Sequence, residues 1–505
     1  MNEIRVRLEK LMVDLNEALR IFHDNLKKTN CTVQIYTHID ADGLSAGAIL
    51  GKALYRANVP FQIRILKQLE REEIIKISKS FEDFENFVIF SDFGSGQYLE
   101  LQKRFIIDEN YVPFIILDHH LPQGVPSIEG DELIKEIHKK TSPWHINPYF
   151  YGINGSNEVS GAGICYYFAR ALNKNNKDLS SLAIIGAIGD IQNQGENKTF
   201  FGLNNLILED AKEIDVVDVV DDLSFSSIKP LNEAIAYSYD IKLPGLSKNP
   251  NTTLKFLQTL GILMEKSDGE IRALNDLSTD EKQKVSTAII EYASLKLDLE
   301  PTEIIKKLIV NKYVLKNEVV DSEIYDAYEF SNLLNSCGRT NNGSLGIAIA
   351  MGDRKKALQE GLYSRIEYRK SLRKAITWLA ENEKVTQKEF IQYYFGEDMI
   401  PENIIGTIAT MLIFDNSDII DLNKPVFGLA RREEEDVYKV SGRAHEKIVE
   451  KGINLSEAIR DALELTNLDA LGGGHPPAAG TKIPVERFEE FLENINLVIE
   501  KQFKR

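Results

Sequence analysis

Short apolar runs alternate with helix-periodic stretches through the first 190 residues. Cys31 to Tyr36, Phe87 to Phe90 and Phe114 to Leu117 have strand length, and Phe61, Ile63 and Ile65 alternate with polar neighbours between Pro60 and Leu66. Leu44 to Asn58 reads as a helix, and Leu182 to Ile188 as a fourth apolar run that ends at Gly189-Asp190. This order predicts a parallel sheet with helices on both faces. Ile4, Leu8, Leu11, Leu15, Leu19 and Phe22 recur at helical spacing, so residues 2–28 are expected to form an amphipathic helix packed on this first domain. Trp144 to Pro148 and Tyr151 to Gly155 are rich in turn residues, and Ser160-Gly161-Ala162-Gly163 opens a helix running through Ala171.

Helical periodicity dominates from about 200 to 330. Ser278 and Glu281 are placed as a capping box before Val285 to Leu297. The segment reads as a helical connector between two lobes. Beyond it, Leu345 to Met351, Val426 to Ala430 and Val437 to Val440 look like buried strands of a second α/β lobe, with thinner strand character at 307–314. Residues 353–420 read as a mostly helical insertion carrying Arg365, Arg369 and Arg373, and a helix from Val485 closes the chain. The expected architecture is therefore α/β and two-lobed. The expected divisions are a catalytic domain at 1–205, a helical connector at 206–330 and a substrate-binding domain at 331–505.

Composition narrows the class. With 505 residues, 43% hydrophobic and 27% charged, this is an ordinary globular composition with room for several cores. A net charge of -17 opposes indiscriminate binding to nucleic acid while leaving a local basic groove open. Three scattered cysteines, Cys31, Cys165 and Cys337, fit a reducing compartment, and no apolar run approaches the ~20 residues of a membrane span. Cytoplasm is the expected location, with no membrane partner.

Candidate chemistry sits where the apolar runs end. His38-Ile39-Asp40-Ala41-Asp42-Gly43 follows the first run, Ser91-Asp92 the next, Asp118-His119-His120 the third and Asp190 the fourth. In an open α/β sheet the carboxyl ends of the strands share one crevice. Two like charges ~4 Å apart repel by roughly 4 kcal/mol at an effective dielectric near 20. Gathered aspartates therefore demand positive charge, and a carboxylate and imidazole set suits manganese or magnesium. A calcium loop is excluded, because Ile49 stands where the bidentate acid is required. Helix capping accounts for one aspartate and leaves the His-x-Asp-x-Asp-Gly set unexplained.

Adjacent residues leaving a strand point different ways, so His119 and His120 cannot share one job; one can ligate metal while the other meets substrate, with Asp118 orienting a histidine. Asp92, in Ser91-Asp92-Phe93-Gly94-Ser95-Gly96, reads equally as a turn residue or as part of a close backbone approach. Gly472-Gly473-Gly474-His475 can form an anion-receiving nest, and Ser336-Cys337-Gly338-Arg339 and Ser441-Gly442-Arg443 offer arginine forks for phosphate.

Taken together these motifs resemble the DHH phosphoesterase superfamily, and within it the archaeal RecJ-like nucleases. The resemblance spans nearly the whole chain, from His38-Ile39-Asp40-Ala41-Asp42-Gly43 to Gly473-Gly474-His475-Pro476-Pro477-Ala478-Ala479-Gly480. It implies that Asp40, Asp42, Asp92, His119 and Asp190 hold two manganese or magnesium ions with Asp92 as the bridge. His38 belongs to the first-metal motif. His120 would contact the scissile phosphate, and Arg339, Arg443, Gly473, Gly474 and His475 would bind phosphates from the DHH-associated domain across a cleft. The implied activity is exonucleolytic hydrolysis of single-stranded DNA or RNA in replication or repair, with the GINS complex and the MCM helicase as partners and 353–420 as the contact surface. The rivals are a phosphodiesterase for cyclic dinucleotides or short oligonucleotides, and a replication-fork scaffold.

Overall fold

The computed structural model describes residues 2–504 except 29–30, 82–85, 108–109, 126–130, 239, 298, 415–418, 433–434, 469 and 471. The chain divides into two compact units, residues 1–364 and 365–505.

A five-stranded parallel sheet organises the first unit. Its order is Phe61–Leu66, Thr32–His38, Asn86–Ser91, Phe114–Leu117, His145–Ile146. Four of these strands are buried on both faces, which is why they read as apolar runs, whereas the edge strand Phe61–Leu66 alternates and exposes Gln62 and Arg64. Val33, Ile35, Phe87, Ile89, Ile115 and Leu117 pack with helices Asn2–Lys28, Ala41–Arg56, Gly161–Leu172 and Ser180–Gly189. The alternate residues Tyr36, Val88, Phe90, Phe114 and Ile116 meet helices Arg71–Lys79, Tyr98–Phe105 and Asp131–Thr141 on the other face. The parallel sheet and the amphipathic first helix are as expected.

Two expected strands are helices. Leu182 to Ile188 lies in the helix Ser180–Gly189, and Leu345 to Met351 in the helix Gly343–Met351. Seven-residue apolar runs carry no periodicity that separates a strand from a helix buried on several sides. Ser180–Gly189 packs against four helices, Ala41–Arg56, Gly161–Leu172, Gly202–Glu213 and Ala327–Arg339, so polar positions have no face to occupy.

The connector is helical as expected but contains an antiparallel pair, Val217–Leu223 with Ile309–Leu315. The capping box forms: Ser278 N–H donates to Glu281 Oε2 at 2.8 Å and Glu281 N–H to Ser278 Oγ at 3.3 Å. Residues 331–364, expected with the C-terminal domain, belong to the first unit, because helices Ala327–Arg339 and Gly343–Met351 pack against Ala41–Arg56.

The second unit is built on a six-stranded, mostly antiparallel sheet ordered Thr386–Gln387, Gln392–Phe395, Val426–Arg432, Val437–Arg443, Ala478–Pro484, Gly473–His475. Helices Ile405–Phe414, Leu455–Leu465 and Phe488–Phe503 supply apolar faces to its cores. The 353–420 segment is thus less helical than expected: its residues 386–395 enter the sheet. Within the arginine row, Arg365 is buried and Arg373 exposed. Among the described residues no helix is long and apolar enough to cross a membrane.

Candidate metal centre

Strand order places the chemistry. The first strand has neighbours on both sides whose connections leave in opposite directions, and the crevice lies between it and Asn86–Ser91. Thr37 is level with Ser91, and Ser91 with Leu117, so the residues that follow these strands emerge side by side.

Asp40 caps the helix Ala41–Arg56, accepting from Gly43 N–H at 2.9 Å, and its other oxygen is 2.8 Å from His38 Nδ1. It therefore caps a helix and joins the cluster as well. The same His38 nitrogen is 3.6 Å from Asp92 Oδ2. Asp42 is pinned at the N-terminus of the helix Gly161–Leu172, where Gly161 N–H and Ala162 N–H donate to its two oxygens at 2.7 and 3.0 Å. Asp92 follows its strand in the left-handed region, with φ +61°. A β-carbon on Gly161 would lie 2.6 Å from Asp92 Oδ1, so only glycine admits this approach.

His119 is buried and oriented by the Gly155 carbonyl, which accepts from Nδ1 at 2.7 Å. Its Nε2 then faces three carboxylates: Asp92 Oδ1 at 3.3 Å, Asp42 Oδ2 at 3.7 Å and Asp190 Oδ2 at 3.8 Å. His120 turns away, with Nδ1 on Asp118 Oδ1 at 2.8 Å and nearly half its side chain exposed. Asp118 also accepts from Ser95 N–H at 2.8 Å and His119 N–H at 2.8 Å, so it orients the pair. Asp190 is not at a strand end. It is the residue that stops the helix Ser180–Gly189, and that helix aims it into the cluster.

The electrostatics follow from burial and crowding. Burial raises the Asp42 and Asp190 carboxyls, and the neighbouring Asp92 and Asp40 raise them further against the pull of His119. Burial alone would discourage an imidazolium at His38, yet Asp40 and Asp92 lift its pKa to about 10. His119 is likewise driven well above its ordinary value, by Asp190, Asp92 and Asp42 against burial. Asp40 and Asp118 are held well below the carboxylate range despite burial, the first by His38, Gly43 N–H and Arg339, the second by His120, His119 and Ser95 N–H.

These residues fit divalent cations. Asp92 Oδ1 is buried and makes no hydrogen bond among the described residues, although His119 Nε2 is close by. Three groups have ligand atoms within 4.8 Å of one another: His38, Asp40 and Asp92; Asp42, His119 and Asp190; and Asp92, Asp118, His119 and His120. Asp92 and His119 each belong to two of them. Carboxylate oxygens with imidazole nitrogen are donors suited to manganese and magnesium.

The remaining expected residues lie elsewhere. Arg339, expected in the C-terminal domain, ends the helix Ala327–Arg339 in the first unit, close enough to Asp40 to lower its pKa. Gly338 allows this: a β-carbon there would lie 1.7 Å from the Ile39 carbonyl oxygen. Arg443 is in the second unit, with Nε on Thr410 Oγ1 at 2.8 Å. Gly473–His475 is an edge strand paired with Ala478–Gly480 and not an open nest, because Pro476-Pro477 turns the chain back on itself. Leu471 and the His475 side chain lie outside the described residues.

Sequence reasoning missed the residues that hold the ligands. Gln192, fully buried, donates to Asp190 Oδ2 at 2.7 Å and to the Gly155 carbonyl at 2.9 Å, and accepts from Asn204 at 2.7 Å. Asn335 accepts from Ala41 N–H at 2.9 Å. Asn147 donates to Ser95 Oγ and to the His120 carbonyl, both at 2.8 Å. One signal was present: Ser160-Gly161-Ala162-Gly163 opening a helix is a set of free N–H groups suited to a carboxylate.

The DHH-CID domain family matches residues 226–309, and the DHHA1 domain family residues 388–501. The uncharacterized protein MJ0831 of Methanocaldococcus jannaschii is 32% identical over 499 residues, covering 99% of this chain and 100% of that protein. CDC45 from Entamoeba histolytica superposes with a TM-score of 0.65 at 13% identity, over 97% of this chain and 99% of that one. RecJ of Thermus thermophilus in complex with Mn2+ gives 0.55 at 15% identity, over 97% of this chain and 55% of that one. The chain belongs to the DHH superfamily and has the fold of RecJ and CDC45. Its first unit thus carries the parallel sheet of this fold and a DHH-CID insertion, and its second unit the DHHA1 domain. The acidic cluster of this DHH superfamily chain lies at the sheet's switch point.

Proposed function

We propose that this DHH superfamily protein is a metal-dependent exonuclease that hydrolyses phosphodiester bonds of single-stranded DNA or RNA. The observation that carries the reading is the convergence of Asp42, Asp92 and Asp190 on one nitrogen of His119, with His38 and Asp40 on the far side of Asp92. In this reading Asp40, Asp42, Asp92, His119 and Asp190, with His38, hold two divalent cations, manganese first and magnesium second. When bound, such cations supply Lewis-acid activation of water and stabilise charge on the leaving oxygen.

The chain's own residues do the rest. Asp118 fixes His120 through Nδ1, leaving Nε2 for a phosphate oxygen. Against burial and His119, Asp118 and Asp92 raise the His120 pKa, which favours the protonated ring as donor to that anion. Arg339 stands beside Asp40 as a second cationic contact. Arg443, Gly473, Gly474 and His475 are the phosphate contacts assigned to the second unit. Association with GINS and the MCM helicase in the cytoplasm rests on the sequence resemblance, and a pull-down with and without residues 353–420 tests it.

End-labelled single-stranded DNA and RNA, digested with manganese or magnesium, test the activity. Wild type is expected to release mononucleotides only with metal, and the Asp40→Ala, Asp42→Ala double variant to release none. Retained activity in that variant would refute the site. Strong preference for a dinucleotide over a long strand would favour the oligonucleotide phosphodiesterase.

A further inference from the structure

The residue after Asp190 is out of place by every local rule. Ile191 N–H donates to the Ile188 carbonyl at 3.0 Å and Gln192 N–H to the Ala187 carbonyl at 2.8 Å. These two bonds close the helix Ser180–Gly189 in a Schellman motif, whose left-handed position is normally glycine. Here it is isoleucine at φ +56°. A β-branched residue in that region is a true outlier, and strain of this kind gathers where side chains have work to do. Packing does not compensate, because Ile191 is 68% exposed.

The side chain lines a groove of about 580 Å³ with Asn193, Gln194, Lys198, Lys306 and Lys307. That volume falls in the ~300–1,000 Å³ range of small-ligand sites. Lys198 pairs with Asp240 at 2.9 Å and Lys306 with Glu196 at 2.9 Å, and both acids line the groove too. The Lys306 pair is solvent-exposed, 64% and 70%, and weak enough to exchange for a phosphate, while Lys307 is exposed. Phe201, 45% exposed, lies against the Gly195 turn at the groove's side. One end of the groove begins a single residue from Asp190, whose carboxylate is 3.8 Å from His119 Nε2. Aliphatic surface, side-chain amides and lysines side by side match a base or sugar face, base edges and phosphates.

We infer that this groove holds the nucleotides flanking the scissile phosphate of a single strand, with Ile191 packed against the nearest base or sugar and Lys306 and Lys307 on the following phosphates. The inference rests on the single-strand nuclease reading and adds a strand path to it. Recognition through backbone charge and apolar faces is sequence-tolerant.

Binding of a fluorescein-labelled ten-nucleotide oligothymidylate to the full chain, measured by anisotropy with calcium in place of the active metal, tests the assignment. Ile191→Gly is expected to weaken binding roughly tenfold, the order set by uncovering an aliphatic side chain of this size. It is also expected to raise the melting temperature by relieving the turn, with manganese affinity unchanged. Ile191→Val should retain binding, and Lys306→Glu with Lys307→Glu should weaken it and flatten its salt dependence. Unchanged binding in both the glycine and the double lysine variants, while wild type still degrades the strand, would overturn the groove and spare the nuclease. A fall in melting temperature or manganese affinity in Ile191→Gly would make Ile191 a structural residue and overturn its role. A wild-type protein that neither binds nor degrades any strand would overturn the nuclease reading, and the groove with it.

Discussion

Nε2 of His119 lies 3.3 Å from Oδ1 of Asp92, and the proton on its other nitrogen is already given to the Gly155 carbonyl. A neutral ring would point a lone pair at a carboxylate oxygen that makes no hydrogen bond among the described residues. A proton or a metal cation must stand between them. The carboxylates around His119 and His38 hold protons there in the metal-free protein, and a divalent cation is the replacement that satisfies both atoms.

Metal binding should therefore release protons. His38 is protonated at neutral pH, since its pKa is lifted from 6.5 to about 10. Manganese affinity is expected to rise with pH, by roughly tenfold per unit for each proton displaced. The stability that His38 gives the metal-free protein is complete below about pH 6.5 and is lost as pH rises through about 10. Calorimetry in buffers of different ionisation enthalpy counts the protons, and His38→Asn should release one fewer. Affinity that is independent of pH would contradict this account.

Asp190→Asn is expected to act in opposite directions with and without metal. Burial and the neighbouring Asp92 and Asp40 raise the Asp190 carboxyl against the attraction of His119, so its charge is a cost in the empty site. Removing it should raise the melting temperature of the chelated protein at pH 8. Asparagine keeps an oxygen for Gln192 but loses the anionic ligand, so the gain on adding manganese should shrink. In wild type that gain is about 2.7 kcal/mol at a metal concentration of 100 times Kd. Thermal melts with and without manganese read both effects.

Gly161→Ala tests the packing of the site without replacing a ligand. The new methyl would lie 2.6 Å from Asp92 Oδ1 and 2.8 Å from its β-carbon. Overpacking of this kind costs about 1–3 kcal/mol. Displacing the carboxylate should weaken manganese binding by roughly 10–100-fold, the range seen when supporting contacts of a metal ligand are lost. Calorimetric titration measures it, and an unchanged affinity would place the metal away from Asp92.

The strand ends and their carboxylates were legible because a strand buried on both faces must be apolar throughout, which makes the aspartate or histidine that ends it conspicuous. Leu182 to Ile188 misled for the same reason, since a helix packed on four neighbours is just as apolar. Even so Asp190 was recognised, because an acid closing an apolar run is informative whichever element carries it. Gln192, Asn335 and Asn147 were not legible. Their role comes from contacts with residues distant in sequence, as when Asn335 meets Ala41, and a lone amide carries no local pattern. Arg339 was noticed but assigned to the wrong unit, because nothing in Leu334 to Arg339 announces that its helix packs against Ala41–Arg56.

The most direct test counts metal. Manganese titrated into the chelated protein, followed by calorimetry and electron paramagnetic resonance, is expected to show two bound ions with the spectral broadening of a coupled pair. Asp92→Asn, which removes the charge common to two of the three ligand groups, should abolish the coupling and at least one of the sites. A wild-type protein that binds one ion or none, or an Asp92→Asn protein that still binds a coupled pair, would contradict the account.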